Sequence, residues 1–99
     1  MLIILLLINL SFAFLVQPEN GSTLNYTHVL FEWTQQENAI SYNFMLSSTE
    51  TFNSSILDFT NESLIHIEKE HLNWDTSYYW KIRSIYSDNS FGEWSEVFN

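Results

Sequence analysis

Apolar and polar positions alternate at period two in several short stretches of this 99-residue chain, and none shows the three-to-four spacing of an amphipathic helix. Successive side chains of a strand point to opposite faces, so each such stretch reads as a half-buried strand. The clearest begins at Tyr78. Tyr78, Trp80, Ile82 and Ser84 share one face, while Tyr79, Lys81, Arg83 and Ile85 share the other. A polar turn, Trp74 to Ser77, precedes it. Val29, Phe31 and Trp33 alternate with Leu30 and Glu32. Ile40, Tyr42, Phe44 and Leu46 alternate with Ser41, Asn43, Met45 and Ser47.

Taken in chain order, seven strands are expected. Leu15–Gln17 is a short edge strand closed by the Pro18-Glu19-Asn20-Gly21 turn, where proline cannot donate to a ladder and Asn-Gly tolerates positive φ. The strands through Val29–Trp33 and Ile40–Ser47 follow. Ile56–Phe59 and Leu64–Ile67 are short, the strand from Tyr78 is the sixth, and Phe91–Phe98 returns as the seventh after a Ser87–Ser90 hairpin loop. Seven short antiparallel strands at uneven spacing indicate an all-β sandwich; a small up-and-down barrel is the alternative, which the uneven spacing disfavours. The expected core is Val29, Phe31, Trp33, Tyr42, Phe44, Leu46, Leu72, Tyr78, Trp80 and Ile82.

Composition adds constraints. A chain this short is one domain and buries only roughly 60–65% of its unfolded surface. Its 17% aromatic content compensates, because each large ring buries about 150–250 Å². There is no cysteine, which excludes disulfides, thiolate metal sites and a cysteine nucleophile. Three basic residues stand against twelve acidic ones, a formal charge of −9. Such a surface repels phosphate backbones and anionic membranes, so nucleic acid is not an expected partner. Met1–Ala13 is apolar and carries no charge. It is too short for the about 20 residues a membrane span needs and, with Ser11-Phe12-Ala13 placing small residues at the cleavage positions, it reads as a signal peptide (1–13) ahead of a domain at 14–99. The mature domain is not expected to insert into a membrane.

The order and spacing of particular residues resemble those of a fibronectin type III domain, an immunoglobulin-like sandwich. The resemblance rests on Pro18-Glu19-Asn20-Gly21 as the opening turn and Trp33 as the core tryptophan. It rests also on Leu72 with Tyr78 as a tyrosine corner and on Gly92-Glu93-Trp94-Ser95 leading into the last strand. Trp74 departs from that pattern, as does the ending at Asn99, which implies a truncated last strand and a piece of a larger protein. Phe91-Gly92-Glu93-Trp94-Ser95 is also similar to a degenerate Trp-Ser-x-Trp-Ser box of class I cytokine receptors. That narrower resemblance implies a cation–π ladder of Lys81, Arg83 and Trp94.

No constellation for catalysis is visible. There is no nucleophile elbow and no phosphate loop, and His28, His66 and His71 lack the pairing of a zinc site, so each is expected to stand alone. Glu68 and Glu70 share a face near a strand end and are expected to be exposed. No catalytic residue, cofactor or metal is expected, and the protein is not expected to be an enzyme. The expected contact surface comprises Trp74, Tyr79, Lys81, Arg83 and Trp94. Asn-x-Ser/Thr sequons at Asn20, Asn25, Asn53 and Asn61 are candidate N-glycosylation sites in assigned turns. What the fold resemblance implies is a secreted or cell-surface module, a spacer or a protein-interaction domain. The alternatives are a carbohydrate-binding accessory module, for which Trp74 and Tyr79 would form an exposed coplanar platform, and cytokine-receptor-like recognition.

Overall fold

The computed structural model describes residues 14–24 and 28–99; the expected leader and the sequon at Asn25 lie outside them. Among the described residues six strands form: β1 (Leu15–Gln17), β2 (Val29–Trp33), β3 (Ala39–Ser47), β4 (Ser55–Asn61), β5 (Ile65–Glu68) and β6 (Tyr79–Tyr86). They make two antiparallel three-stranded sheets, ordered β1-β2-β5 and β4-β3-β6. Among the described residues no helix is long and apolar enough to cross a membrane.

Period two places the core. In β3, Phe44 stands opposite Phe59 of β4 and Ile82 of β6, and Leu46 opposite Leu57 and Trp80. Val29, Phe31 and Trp33 of β2 face them from the other sheet. These three, with Tyr42, Phe44, Leu46, Trp80 and Ile82, are the buried apolar cluster; Leu72 and Tyr78 are half-buried and pack against it. The rings meet at angles that suit their quadrupoles. Phe31 lies edge-on to Phe44 at 5.2 Å and to Trp80 at 5.0 Å between ring centres.

The tyrosine corner forms. The Asn73 backbone N–H donates to Tyr78 Oη at 2.8 Å, tying the Trp74–Ser77 turn to the start of β6. Tyr78→Phe is expected to lower the unfolding free energy by about 1 kcal/mol, read as a shift in denaturant midpoint at constant slope. An unshifted midpoint would show that the bond contributes nothing net.

Two expectations are corrected. Strict alternation puts Ile40 on the apolar face of Tyr42, Phe44 and Leu46, but it is 55% exposed. The β3–β6 register shifts between Ala39 and Ser41, so a bulge turns Ile40 outward and Ala39 packs against the core instead. The seventh strand is the second correction, since the described residues form six strands and Phe91–Phe98 is not one of them. Phe91 and Phe98 make only isolated bridges, to Ile85 and Trp80. The N–H groups of Gly92, Ser95 and Phe98 donate to the carbonyls of Ser84, Ile82 and Trp80 at 2.9, 2.7 and 3.0 Å. The segment therefore advances three residues for every two of β6, one extra residue per repeat. Its side chains explain why. Buried Ser95 occupies the ladder position, its Oγ accepting the Ile82 N–H at 3.0 Å, while Glu93 and Glu96 on either side stay in water. The Asn20-Gly21 turn, with Gly21 at φ +79°, holds the far end. Gly21 N–H donates to the Asn99 carbonyl at 3.1 Å, and Asn20 Oδ1 accepts the Asn99 N–H at 2.9 Å.

Candidate functional site

The three-residue step of Phe91–Phe98 lays Trp94 over the outer face of β6, where Lys81 and Arg83 project two residues apart. Lys81 Nζ sits 4.3 Å from the Trp94 ring centre and 4.4 Å from that of Phe52. Arg83 Cζ sits 4.4 Å from the Trp94 ring centre and 3.7 Å from that of Phe91. The side chains alternate as Phe52, Lys81, Trp94, Arg83, Phe91. Phe52 reaches its rung from the β3–β4 loop with φ +57°, a left-handed backbone that a bulky residue rarely adopts.

Arg83 is fixed from a second side. Its Nε donates to Asn43 Oδ1 at 3.1 Å, and Asn43 Nδ2 donates to Asp58 Oδ1 at 2.9 Å and to the Phe59 carbonyl at 3.3 Å. Asn43 is thus a buried relay between strands β4 and β6 across β3. Among the described residues no carboxylate forms a direct ion pair with Lys81 or Arg83, the ion pairs there being those of Glu68 with His66 and His71. Burial, and then the neighbouring charge of Arg83, pull the Lys81 ammonium below its ordinary range.

Trp94 is the rung that both cations share. Trp94→Ala is expected to destabilise the domain by about 1–2 kcal/mol, the sum of two ring–cation contacts at about 0.5–1 kcal/mol each. Trp94→Phe should recover part of that, as measured by denaturant titration of the three proteins. Equal stability of all three would mean that the stack contributes nothing.

Of the five expected contact residues, the structure brings together Lys81, Arg83 and Trp94. Tyr79 lies on the same outer face, half-buried opposite Ser47, and among the described residues no ring or cation is stacked on it. Trp74 stands apart, 62% exposed, at the rim of a cleft of about 480 Å³ that Leu72, Tyr78 and Pro18 also line. Trp74 and Tyr79 form no ring pair among the described residues. Sequence reasoning passed over Phe52, Phe91, Asn43 and Asp58 as site residues. Phe52 lies in a loop where no periodicity marks it, and Asn43 meets Arg83 only through strand register. Phe91 belonged to the quoted box but was read as part of a strand.

A second cluster overturns the expectation of an exposed Glu68 and isolated histidines. The β2–β5 register sets Glu68 opposite Val29 on the inward face, where it is 5% exposed. Its Oε1 bonds His66 Nε2 at 2.9 Å and its Oε2 bonds His71 Nδ1 at 2.6 Å. The N–H groups of Glu70 and His71 donate to Oε2 at 3.1 and 2.9 Å. Burial acts to raise the carboxyl, but the hydrogen bonds from His66, His71 and the two N–H groups outweigh it and hold it at about 2.

No protein-family model and no curated protein matches the chain. Solved structures do. An Fn3-like protein from Clostridium thermocellum superposes with a TM-score of 0.60 at 17% identity, over 72% of this chain and 72% of that one. The chain has a fibronectin type III-like fold. A pectate lyase from Pectobacterium carotovorum contains a similar region, with a TM-score of 0.57 at 12% identity over 87% of this chain. The chain spans 24% of that enzyme's length, so the likeness concerns one module of it. Within the fibronectin type III-like sandwich, Trp33 and Tyr78 occupy the core and corner positions that the resemblance implied, and the ladder covers the outer face of the β4-β3-β6 sheet.

Proposed function

We propose that this fibronectin type III-like module is a non-enzymatic recognition domain of a secreted or surface-exposed protein, contacting a protein partner through the outer face of the β4-β3-β6 sheet. One observation carries the reading. Two of the chain's three basic residues are held there between aromatic rings, without a direct ion pair among the described residues, beside a Phe91 that is 54% exposed. Arginine and aromatic rings at a surface are the residue types enriched at protein interfaces. A photo-crosslinking amino acid placed at Phe91 in the native host is expected to capture a partner protein, and the same amino acid at Ile67 on the opposite sheet is not. Capture from both positions, or from neither, would remove the reading. Secretion follows from the leader expected at Met1–Ala13, and mass spectrometry of the exported protein should find Phe14 as its first residue.

A glycan ligand is the second reading, favoured by the exposure of Trp74 beside its cleft, and a glycan array tests it with Trp74→Ala as control. In a host that N-glycosylates, Asn53 and Asn20 are exposed acceptors. Asn61 is the poorer one, because its Nδ2 donates to the Ile65 carbonyl at 2.9 Å.

A further inference from the structure

We infer that the Lys81–Arg83 pair is a carboxylate-binding subsite whose occupant is an extended acidic segment of a partner protein, with Asp or Glu at alternate positions. This deepens the recognition reading above and rests on it. The first ground is charge. All twelve acids of the chain lie among the described residues, yet no carboxylate pairs directly with either cation. Asp58 reaches Arg83 only through the Asn43 amide. Two like charges thus stand side by side on one strand, and a pair of incoming carboxylates offsets both their mutual repulsion and their partial desolvation.

The second ground is donor geometry. Rings lie over the faces of the Arg83 guanidinium, and its Nε is used on Asn43. The terminal amino groups keep their in-plane donors, the fork that suits a carboxylate. The Lys81 ammonium, stacked between Phe52 and Trp94, keeps donors of its own. Both side chains are already ordered by the ladder, so binding loses little further rotamer freedom. The third ground is spacing. Residues two apart on β6 lie about 6.6 Å from one another, the same step that separates alternate side chains of an extended peptide. The exposed ring of Phe91 gives the stem of such a side chain an apolar contact.

The test is a titration of the full-length, nitrogen-15-labelled chain with an eight-residue peptide of alternating glutamate and threonine. The expected result is a set of shifts confined to the β6 amides and the Trp94 indole N–H. Binding should weaken about tenfold in Lys81→Gln, the loss of hydrogen bonds to a charged group, and persist in Lys81→Arg. Thermal midpoints report whether each variant is folded. The inference is overturned if the glutamine–threonine peptide binds equally well, if no β6 shift appears, or if a galacturonate oligomer binds the pair and the peptide does not. Crosslinking from Phe91 separates the two levels. Capture of a partner without peptide binding leaves the recognition reading standing and removes the acidic chemistry; failure of both removes both.

Discussion

Trp33→Ala is expected to lower the unfolding free energy by about 3–5 kcal/mol, as large-to-small changes at buried aromatic positions do. Trp33 is 1% exposed and lies where the two sheets meet. Its ring centre is 6.1 Å from Tyr42, 5.9 Å from Phe44 and 6.5 Å from Trp80. Alanine would empty that space between sheets whose strand pairing cannot collapse to fill it, so the loss combines transfer and cavity terms. Domains hold about 5–15 kcal/mol in all, and one this small has little to spare, so the variant should be partly unfolded at physiological temperature. Trp33→Phe sharpens the test. The indole Nε1 is buried with no hydrogen-bond partner among the described residues, a desolvated donor that phenylalanine does not carry. Part of the volume loss is thereby offset, and the cost should be about half that of alanine or less. Guanidinium titration reads both numbers, with an unchanged slope certifying that the unfolding transition is the same. A loss under about 1 kcal/mol in Trp33→Ala would fall below the range for a packed core position and sink the core assignment.

Positions whose environment follows from strand alternation were readable in advance. Val29, Phe31, Trp33, Tyr42, Phe44, Leu46, Trp80 and Ile82 are apolar at period two, and all are buried. The corner at Tyr78 was legible through the fibronectin type III resemblance of Leu72 and Tyr78, and the structure supplies its partner, the Asn73 N–H. Features created by breaks in the period were not. A bulge beside Ala39 turns Ile40 outward, and the three-residue step after Phe91 replaces a strand with hydroxyl-assisted pairing. The candidate site divides along the same line. Lys81, Arg83 and Trp94 could be gathered from alternation and a short motif. Phe52 enters through a left-handed loop residue, and Asn43 through contact with a residue forty positions later. A charged residue on an inward position, as at Glu68, contradicts patterning unless its partners are known, and His71 joins it from outside the strand.

Glu68→Gln is expected to cost about 2–3 kcal/mol at neutral pH and to flatten the acid limb of the stability curve. The carboxylate is buried and accepts four hydrogen bonds, two from histidine rings and two from backbone N–H groups. An amide of the same shape carries no charge, and its NH₂ group would face donors, so part of that network is broken and left desolvated. The pH dependence supplies the second readout. A carboxyl held at about 2 in the folded protein, against an ordinary 4.5, binds its proton more readily when unfolded. Its stabilisation is therefore complete above about pH 4.5 and is lost progressively as pH falls toward 2. The full difference is about 3 kcal/mol at 1.36 kcal/mol per unit. Stability curves of the wild type and Glu68→Gln should converge between pH 4.5 and 2 and run parallel near neutrality, once the other eleven carboxylates, common to both proteins, are subtracted by the comparison. Parallel curves down to pH 2 would show that Glu68 titrates normally and that its hydrogen bonds to His66 and His71 do not hold in solution.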